Sequence, residues 1–501
     1  MSEQVIESAA KGLGSSVALQ IASKLVTFGM RVIIIRLLGP QLFAFSEVQM
    51  SLMISLVLLP AREGLRRIAI REETDLQSRL LATSGTFLSV LLALFTAIFN
   101  SFFYKDVQST AMVLSSVAAA VESFSEPAVV NATRRELYKA ISTIRAVALI
   151  SSSAVGVVSV YMLPQSQGVY SIILSNLTHA LVLVVGLTST SGGVSDVFSI
   201  GIPNSEVIRL AFDAVVQSVM KFVLGNGEGF ILLLSCDETS RGAYKLASNI
   251  SSLAARFVFD RLEEQSFAAF SRLQNDVPAM ERTFVLATKT SSMIAMLFSF
   301  IGPAYSRLFV RIMYGPEWEA AGVPFLLSLS FFYLQFISVN GIAEGYFNAV
   351  ATSKAVRGYS MFTFIVMILY MGFGTAFAVY YGPAAIILAN ALNMIFRAVY
   401  CARFIARLNS KKTDQTRTAL ALLKEATPTL GFFFTMVALS LLTLGSERLM
   451  NDQLNPVHVG LHLLAGFGSC IVVLAAVFRF ERIFVQQARK IFRGEMPAKE
   501  D

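Results

Sequence analysis

Apolar stretches of about twenty residues, divided by short polar breaks, recur from near residue 14 to near residue 478. A helix rising 1.5 Å per residue needs about 20 such residues to cross the roughly 30 Å hydrocarbon core of a bilayer. The pattern therefore predicts an all-α, polytopic membrane protein of about 14 transmembrane helices. The expected spans lie near 14–38, 42–61, 80–103, 109–132, 140–163, 168–188, 206–224, 242–266, 284–309, 322–347, 358–380, 382–403, 428–444 and 459–478. Those at 206–224 and 242–266 are the least apolar. The opening residues MSEQVIESAAKG carry acids and no basic n-region, so the first span is read as an anchor rather than a cleaved signal.

Basic residues divide unevenly between alternate loops. Arg62, Arg66, Arg67, Arg71 and Arg79 follow the second span, Arg134, Arg135 and Lys139 the fourth, Arg407, Lys411, Lys412, Arg417 and Lys424 the twelfth, and Arg479, Arg482, Arg489 and Lys490 the last. The opposite loops hold only Lys105, Arg241, Arg311 and Arg448. The positive-inside rule then predicts that both termini are cytoplasmic. The expected organisation is a tail (1–13), a six-span lobe (14–188), a Gly/Ser-rich linker (189–205), a second six-span lobe (206–404), a basic loop (405–427), a helix pair (428–478) and a basic tail (479–501). Two six-helix halves insert in the same sense, as parallel repeats around a central cavity.

Composition narrows the function classes. The chain of 501 residues is 55% hydrophobic and 15% charged, with a mean hydropathy of +0.63. Its net charge of +8 is explained by topology, and a nucleic-acid partner is not expected. Cys236, Cys401 and Cys470 are far apart, and His458 and His462 have no third ligand in view, so no metal site is expected. No phosphate-binding glycine loop followed by Lys-Ser/Thr occurs, and GNGEGF at 225–230 lacks the strand–helix context of a dinucleotide site, so no cofactor and no enzymatic activity are expected.

The informative positions are charges where hydrocarbon should be. Gln20, Lys24, Thr27 and Arg31 share one face of the first span, with Arg36 near its end. Such a stripe points into a bundle or a wet cavity, or else pairs with an acid on a neighbouring span. Further stripes are Asp213, Gln217 and Lys221; Arg256, Asp260, Glu263 and Glu264; Asn340 and Glu344; and Asn390, Asn393 and Arg397. Glu122 and Glu126 precede Pro127, which should interrupt the fourth span. Arg62, Glu63, Arg66 and Arg67 cluster behind Pro60, where guanidinium forks could hold a diphosphate bidentately or simply anchor the helix at the membrane surface. Lys24, Arg31, Arg36, Arg62, Arg66 and Arg67 are thus candidate diphosphate ligands. Glu63, Lys221, Arg256, Asp260, Glu263, Glu264, Asn340, Glu344, Asn390 and Arg397 are candidate polar lining.

The segments VTFGMRVIIIRLLGP, LLPAREGLRRIA, VESFSEP, YKLASNISSLAARFVFDRLEEQS, SVNGIAEGYFNAVATSKAV and GPAAIILANALNMIFR together resemble the eukaryotic Rft family, in order and across residues 19–400. The resemblance implies an endoplasmic-reticulum membrane protein of the multidrug/oligosaccharidyl-lipid/polysaccharide exporter superfamily, with two lobes around a central cavity and extra C-terminal helices. It implies a role in moving dolichol-pyrophosphate-linked heptasaccharide to the lumen for N-glycosylation, with that lipid as partner beside membrane lipid. It also draws attention to Arg36, Arg62, Glu63, Arg66, Arg67, Arg256, Glu263, Glu264, Asn340, Glu344 and Arg397. The expectation is alternating access, against two rivals: a scaffold that binds and channels the lipid, and an ion-coupled exporter of other molecules. The last residues, MPAKED, offer no retrieval signal, so location rests on the family.

Overall fold

A computed structural model describes residues 26–103, 106–412, 424–449 and 455–492, and among them there is no strand. Helix α1 covers Val26–Arg71, α2 Asp75–Phe103, α3 Asp106–Ser123, α4 Glu126–Arg134, α5 Tyr138–Met162, α6 Val169–Thr190, α7 Ser205–Gly225 and α8 Gly227–Ser235. Then follow α9 Glu238–Ala254, a π-helical turn Ala255–Phe259, α10 Asp260–Arg272, α11 Val277–Met313, α12 Val323–Val350, α13 Ser353–Tyr381, α14 Ala384–Lys412, α15 Leu430–Arg448, α16 Pro456–Phe480 and α17 Arg482–Phe492.

Eleven helices among the described residues are long and apolar enough to cross a membrane, fewer than the fourteen expected. Two physical reasons account for the difference. The described part of the expected span 14–38 and the span 42–61 both fall on α1, whose 46 residues would be about 70 Å long if straight, more than twice a bilayer core. Gly39, at φ 72°, leaves the right-handed helix there, and Pro40 follows without an N–H. The expected spans 206–224 and 242–266 do form helices, α7 and α9–α10, but Glu206, Arg209, Asp213 and Lys221 make the first too polar, and Lys245, Arg256, Asp260 and Arg261 the second.

The chain divides into two compact units. The first takes it to Leu233, with Asp237–Gly242; the second takes Leu234–Cys236 and the chain from Ala243 onward. Helix α7 packs in the first unit, against Pro60–Leu65 and α1 beyond it. In that unit Leu65, Ala69, Leu81, Ala82, Val130, Val207 and Ala211 form one buried cluster. The linker 189–205 is pinned rather than loose. Asn131 donates to the Ser191 and Asp196 carbonyls at 3.1 and 3.2 Å, and Arg135 to the Ser191 carbonyl at 3.1 Å.

In the second unit α12 is central, packing against α10, α11 and α14. Its core gathers Phe270, Phe284, Tyr346, Phe347, Tyr359 and Cys401. Helix α15 packs on α11 and α16, burying Phe432 and Met436 with Met293, Met296, Ile301 and Val473. Outward positions of α2 are Leu91, Leu94, Phe95, Ile98 and Phe102, each more than half exposed, as expected where lipid replaces water. Outside the spans, hydrogen bonds from the Ser240 hydroxyl and N–H hold the Asp237 carboxyl below the usual carboxylate range at the start of α9.

Candidate functional site

The first unit holds its charges on an irregular piece of helix. Pro60 has no N–H to give the preceding turn, and the chain from Pro60 to Leu65 widens to a π-helical turn. Gly85 of α2 lets this turn approach closely, since a Cβ there would lie 3.1 Å from the Ala61 Cα. Arg62 projects from the turn, with Arg66 following it. Opposite, α3 stops at Ser123 and α4 restarts at Glu126, with Pro127 in its first turn, as the proline led one to expect.

Arg62 donates from Nε to Glu126 Oε1 at 3.2 Å and from Nη2 to Glu122 Oε1. Arg66 donates from Nε to the other Glu126 oxygen, Oε2, at 2.6 Å. Glu126 is buried, 2% exposed, and is shared by two guanidinium groups, which offsets the cost of ionised groups away from water. Arg145 of α5 follows Ile144, which packs with Ile141 and Ala148 against Ala128 and Val129 of α4, and it lies in electrostatic reach of Arg62, Arg66 and Glu126. Arg134 is occupied structurally. It donates to the Ala69, Ile70 and Glu72 carbonyls that α1 leaves unpaired at its end, and to Asp75 at 2.6 Å.

The other first-unit candidates lie apart from this cluster. Arg31 pairs with Glu47, sixteen residues further along α1, at 2.5 Å. Arg36 is exposed on the same helix. Arg67 and Glu63 form an exposed pair one turn apart at 3.1 Å, a contact that contributes little on its own. Lys221 is exposed on α7 beside Asp213 and Gln217. Lys24 and the side chain of Arg256 lie outside the described residues.

The second unit builds a denser constellation on four helices. Arg397 of α14 reaches both oxygens of Glu344 on α12, Nη2 lying 2.6 Å from Oε1 and 2.9 Å from Oε2. Asn340, one turn back, donates to Oε1 at 2.9 Å. Tyr359 of α13 donates its hydroxyl to the same oxygen and accepts from Arg397 Nε at 3.3 Å. Glu263 of α10 comes in beside them, where Gly341 makes room: a Cβ there would meet Glu263 Oε2 at 2.6 Å. Asn393 donates to Asn390 at 3.3 Å, on the face that carries Arg397. Glu264 faces away, paired with Arg261 at 2.8 Å, and Asp260 is exposed. The Oδ1 atoms of Asn340 and Asn393 are buried without a donor.

Sequence reasoning missed three members. Glu47 sits in apolar surroundings sixteen residues after Arg31, Tyr359 begins a predicted span, and Arg145 is an arginine inside a predicted span. The last is the same signal that singled out Arg31. His462, in contrast, is buried structure: Nδ1 meets the Ser446 hydroxyl at 2.6 Å, Nε2 meets the Ala304 carbonyl at 3.0 Å, and Tyr305 stacks on its ring at 4.2 Å.

Charged clusters buried among helices of spanning length define a polytopic membrane protein with polar sites inside each unit. A solved structure of the lipid II flippase MurJ in an inward closed conformation shares the fold, with a TM-score of 0.63 at 14% identity over 92% of this chain and 99% of that one. The Rft-1 family profile, described as Rft protein, matches residues 8–491, and the chain belongs to that family. The Man(5)GlcNAc(2)-PP-dolichol translocation protein RFT1 of Schizosaccharomyces pombe is 25% identical over 443 residues, covering 81% of this chain and 84% of the relative. Its Dictyostelium discoideum counterpart is 22% identical over 446 residues, covering 75% and 82%.

Proposed function

We propose that this protein translocates a dolichol-diphosphate-linked oligosaccharide, the Man5GlcNAc2 heptasaccharide, across the endoplasmic reticulum membrane by alternating access, with both termini cytosolic. In this reading it is a transporter and not an enzyme. The observation that carries it is the arginine cluster of Arg62 and Arg66 on an irregular intramembrane turn, beside Arg145. Guanidinium groups at that depth are costly unless they serve an anion, and their planar forks suit a diphosphate. The relatives' names and the resemblance to a lipid flippase point to the same substrate class. In the second unit the buried, donor-less oxygens of Asn340 and Asn393 would accept from sugar hydroxyls, relieving a cost that buried acceptors otherwise carry. Arg31 and Arg67 serve as outlying cations on the path, their exposed pairs with Glu47 and Glu63 weak enough to be exchanged for phosphate.

The test is reconstitution of the purified protein in liposomes with dolichol-diphosphate heptasaccharide, counting lipid that becomes accessible to an external lectin. Acceleration over empty vesicles, reduced about tenfold or more in R62A and R67A, is the expected result. Lipid binding without acceleration would replace translocation by a scaffold role.

A further inference from the structure

The charges of the first-unit cluster do not cancel. Arg62, Arg66 and Arg145 bring three positive charges against two carboxylates, Glu122 and Glu126. The carboxylates are taken. Both Glu126 oxygens accept from Arg62 and Arg66, and Glu122 accepts from Arg62. Arg145 makes no ion pair or hydrogen bond with any described residue, although it lies about two turns into α5, an apolar helix of spanning length, with its side chain exposed there. An uncompensated arginine there is costly and finds a partner by default. The other intramembrane arginines do so: Arg31 with Glu47, Arg397 with Glu344.

We infer that Arg145 is the guanidinium that receives the anionic diphosphate, while Arg62 and Arg66, fixed on Glu122 and Glu126, form the cationic platform behind it. This rests on the lipid-diphosphate reading above. The surplus charge is then the recognition element, and the two glutamates hold the platform arginines in place before substrate arrives. Arg145 presents a whole fork, whereas Arg62 offers only the donors that its glutamates leave over. The cluster favours a diphosphate over a carboxylate ligand because two adjacent anionic groups match a fork backed by further cations.

The experiment uses the purified full-length protein and a short-chain polyprenyl diphosphate, with the matching monophosphate and inorganic pyrophosphate as separate ligands. R145Q should weaken polyprenyl diphosphate binding about tenfold, and R145K, which keeps the charge and loses the fork, by a smaller factor. Undiminished binding in R145Q, with wild type binding well, overturns the role of Arg145 and leaves the translocation reading standing. No binding by wild type removes both. A second readout needs no variant: phenylglyoxal labelling of Arg145 in wild type should be blocked by polyprenyl diphosphate while the exposed Arg403 of α14 still labels. An Arg145 that labels equally with and without ligand overturns the inference. Protection by inorganic pyrophosphate at similar concentration would identify free diphosphate, not a lipid, as the ligand of Arg145 and overturn the lipid assignment.

Discussion

Glu344 holds three donors at once, from Arg397, Tyr359 and Asn340, and Arg397 forms an ion pair with no other carboxylate among the described residues. Both members of the pair are largely buried, at 14% and 22% side-chain exposure. Removing one member of such a pair leaves an uncompensated charge and costs about 3–5 kcal/mol, whereas replacing both by apolar groups is often close to neutral. E344A and R397M alone should each lower the thermal midpoint of the detergent-solubilised protein, and the double variant E344M/R397M should recover most of the loss. Additive losses in the double variant would sink this account. The partnership was half legible. The spacing of Asn340 to Glu344 and of Asn390 to Arg397 marks two polar faces, but nothing in a sequence says that these faces meet, or that Tyr359 closes the gap between them. Likewise Arg62 and Arg66 stood out as cations, and Glu122 and Glu126 as acids beside a proline, while their pairing spans 60 or more residues of chain.

Helix irregularities gather at the charges. Among the described residues the π-helical turns are Phe45–Met50, Pro60–Leu65 and Ala255–Phe259. The first carries Glu47, the second Arg62, and the third leads into Asp260 and Glu263. A wider turn frees carbonyls and re-aims side chains, which suits places where polar groups must meet inside an apolar bundle. Only the second has a visible sequence cause, Pro60; the others follow from packing and were not legible. Glycine matters as much at one junction. The first turn of α9 rests on α1, and a Cβ on Gly242 would stand 2.1 Å from the Pro40 carbonyl oxygen, which belongs to backbone and cannot rotate away. G242A should therefore destabilise by about 1–3 kcal/mol through overpacking. G372A, where nothing lies within 4 Å, should be neutral or stabilising by up to about 1 kcal/mol, because alanine is the better helix former. Equal thermal midpoints for the two variants would contradict the close approach.

At the scale of the whole molecule, the hydrophobic pattern determined the class and most of the spans, because lipid imposes one length and one composition on every crossing. Where charge and span coincide, at the expected spans 206–224 and 242–266, helices form as α7 and α9–α10, but their polar faces keep composition from marking them as crossings. The C-terminal pair raises a related question of what holds helices together in lipid. Leaving the α11–α15–α16 core for lipid exposes Phe432 and Met436 to a solvent as apolar as the one they leave, so hydrophobic burial drives this association weakly. The polar tie is the stronger candidate. Glu481, 3% exposed, accepts from Lys289 Nζ of α11 at 3.0 Å with one oxygen and from the Thr429 N–H at the head of α15 at 2.5 Å with the other. One carboxylate thereby joins α11, the start of α15 and the end of α16. E481A should cost about 3–5 kcal/mol by stranding Lys289, while K289M in the same background should restore a large part by removing the stranded charge. Thermal unfolding of the single and double variants, with protease sensitivity of the loop before α15 as a second readout, separates the two accounts. If E481A leaves both unchanged, apolar packing alone holds the pair; if K289M rescues the midpoint but the loop stays cleavable, the carboxylate's bond to the Thr429 amide is what orders the entry to α15.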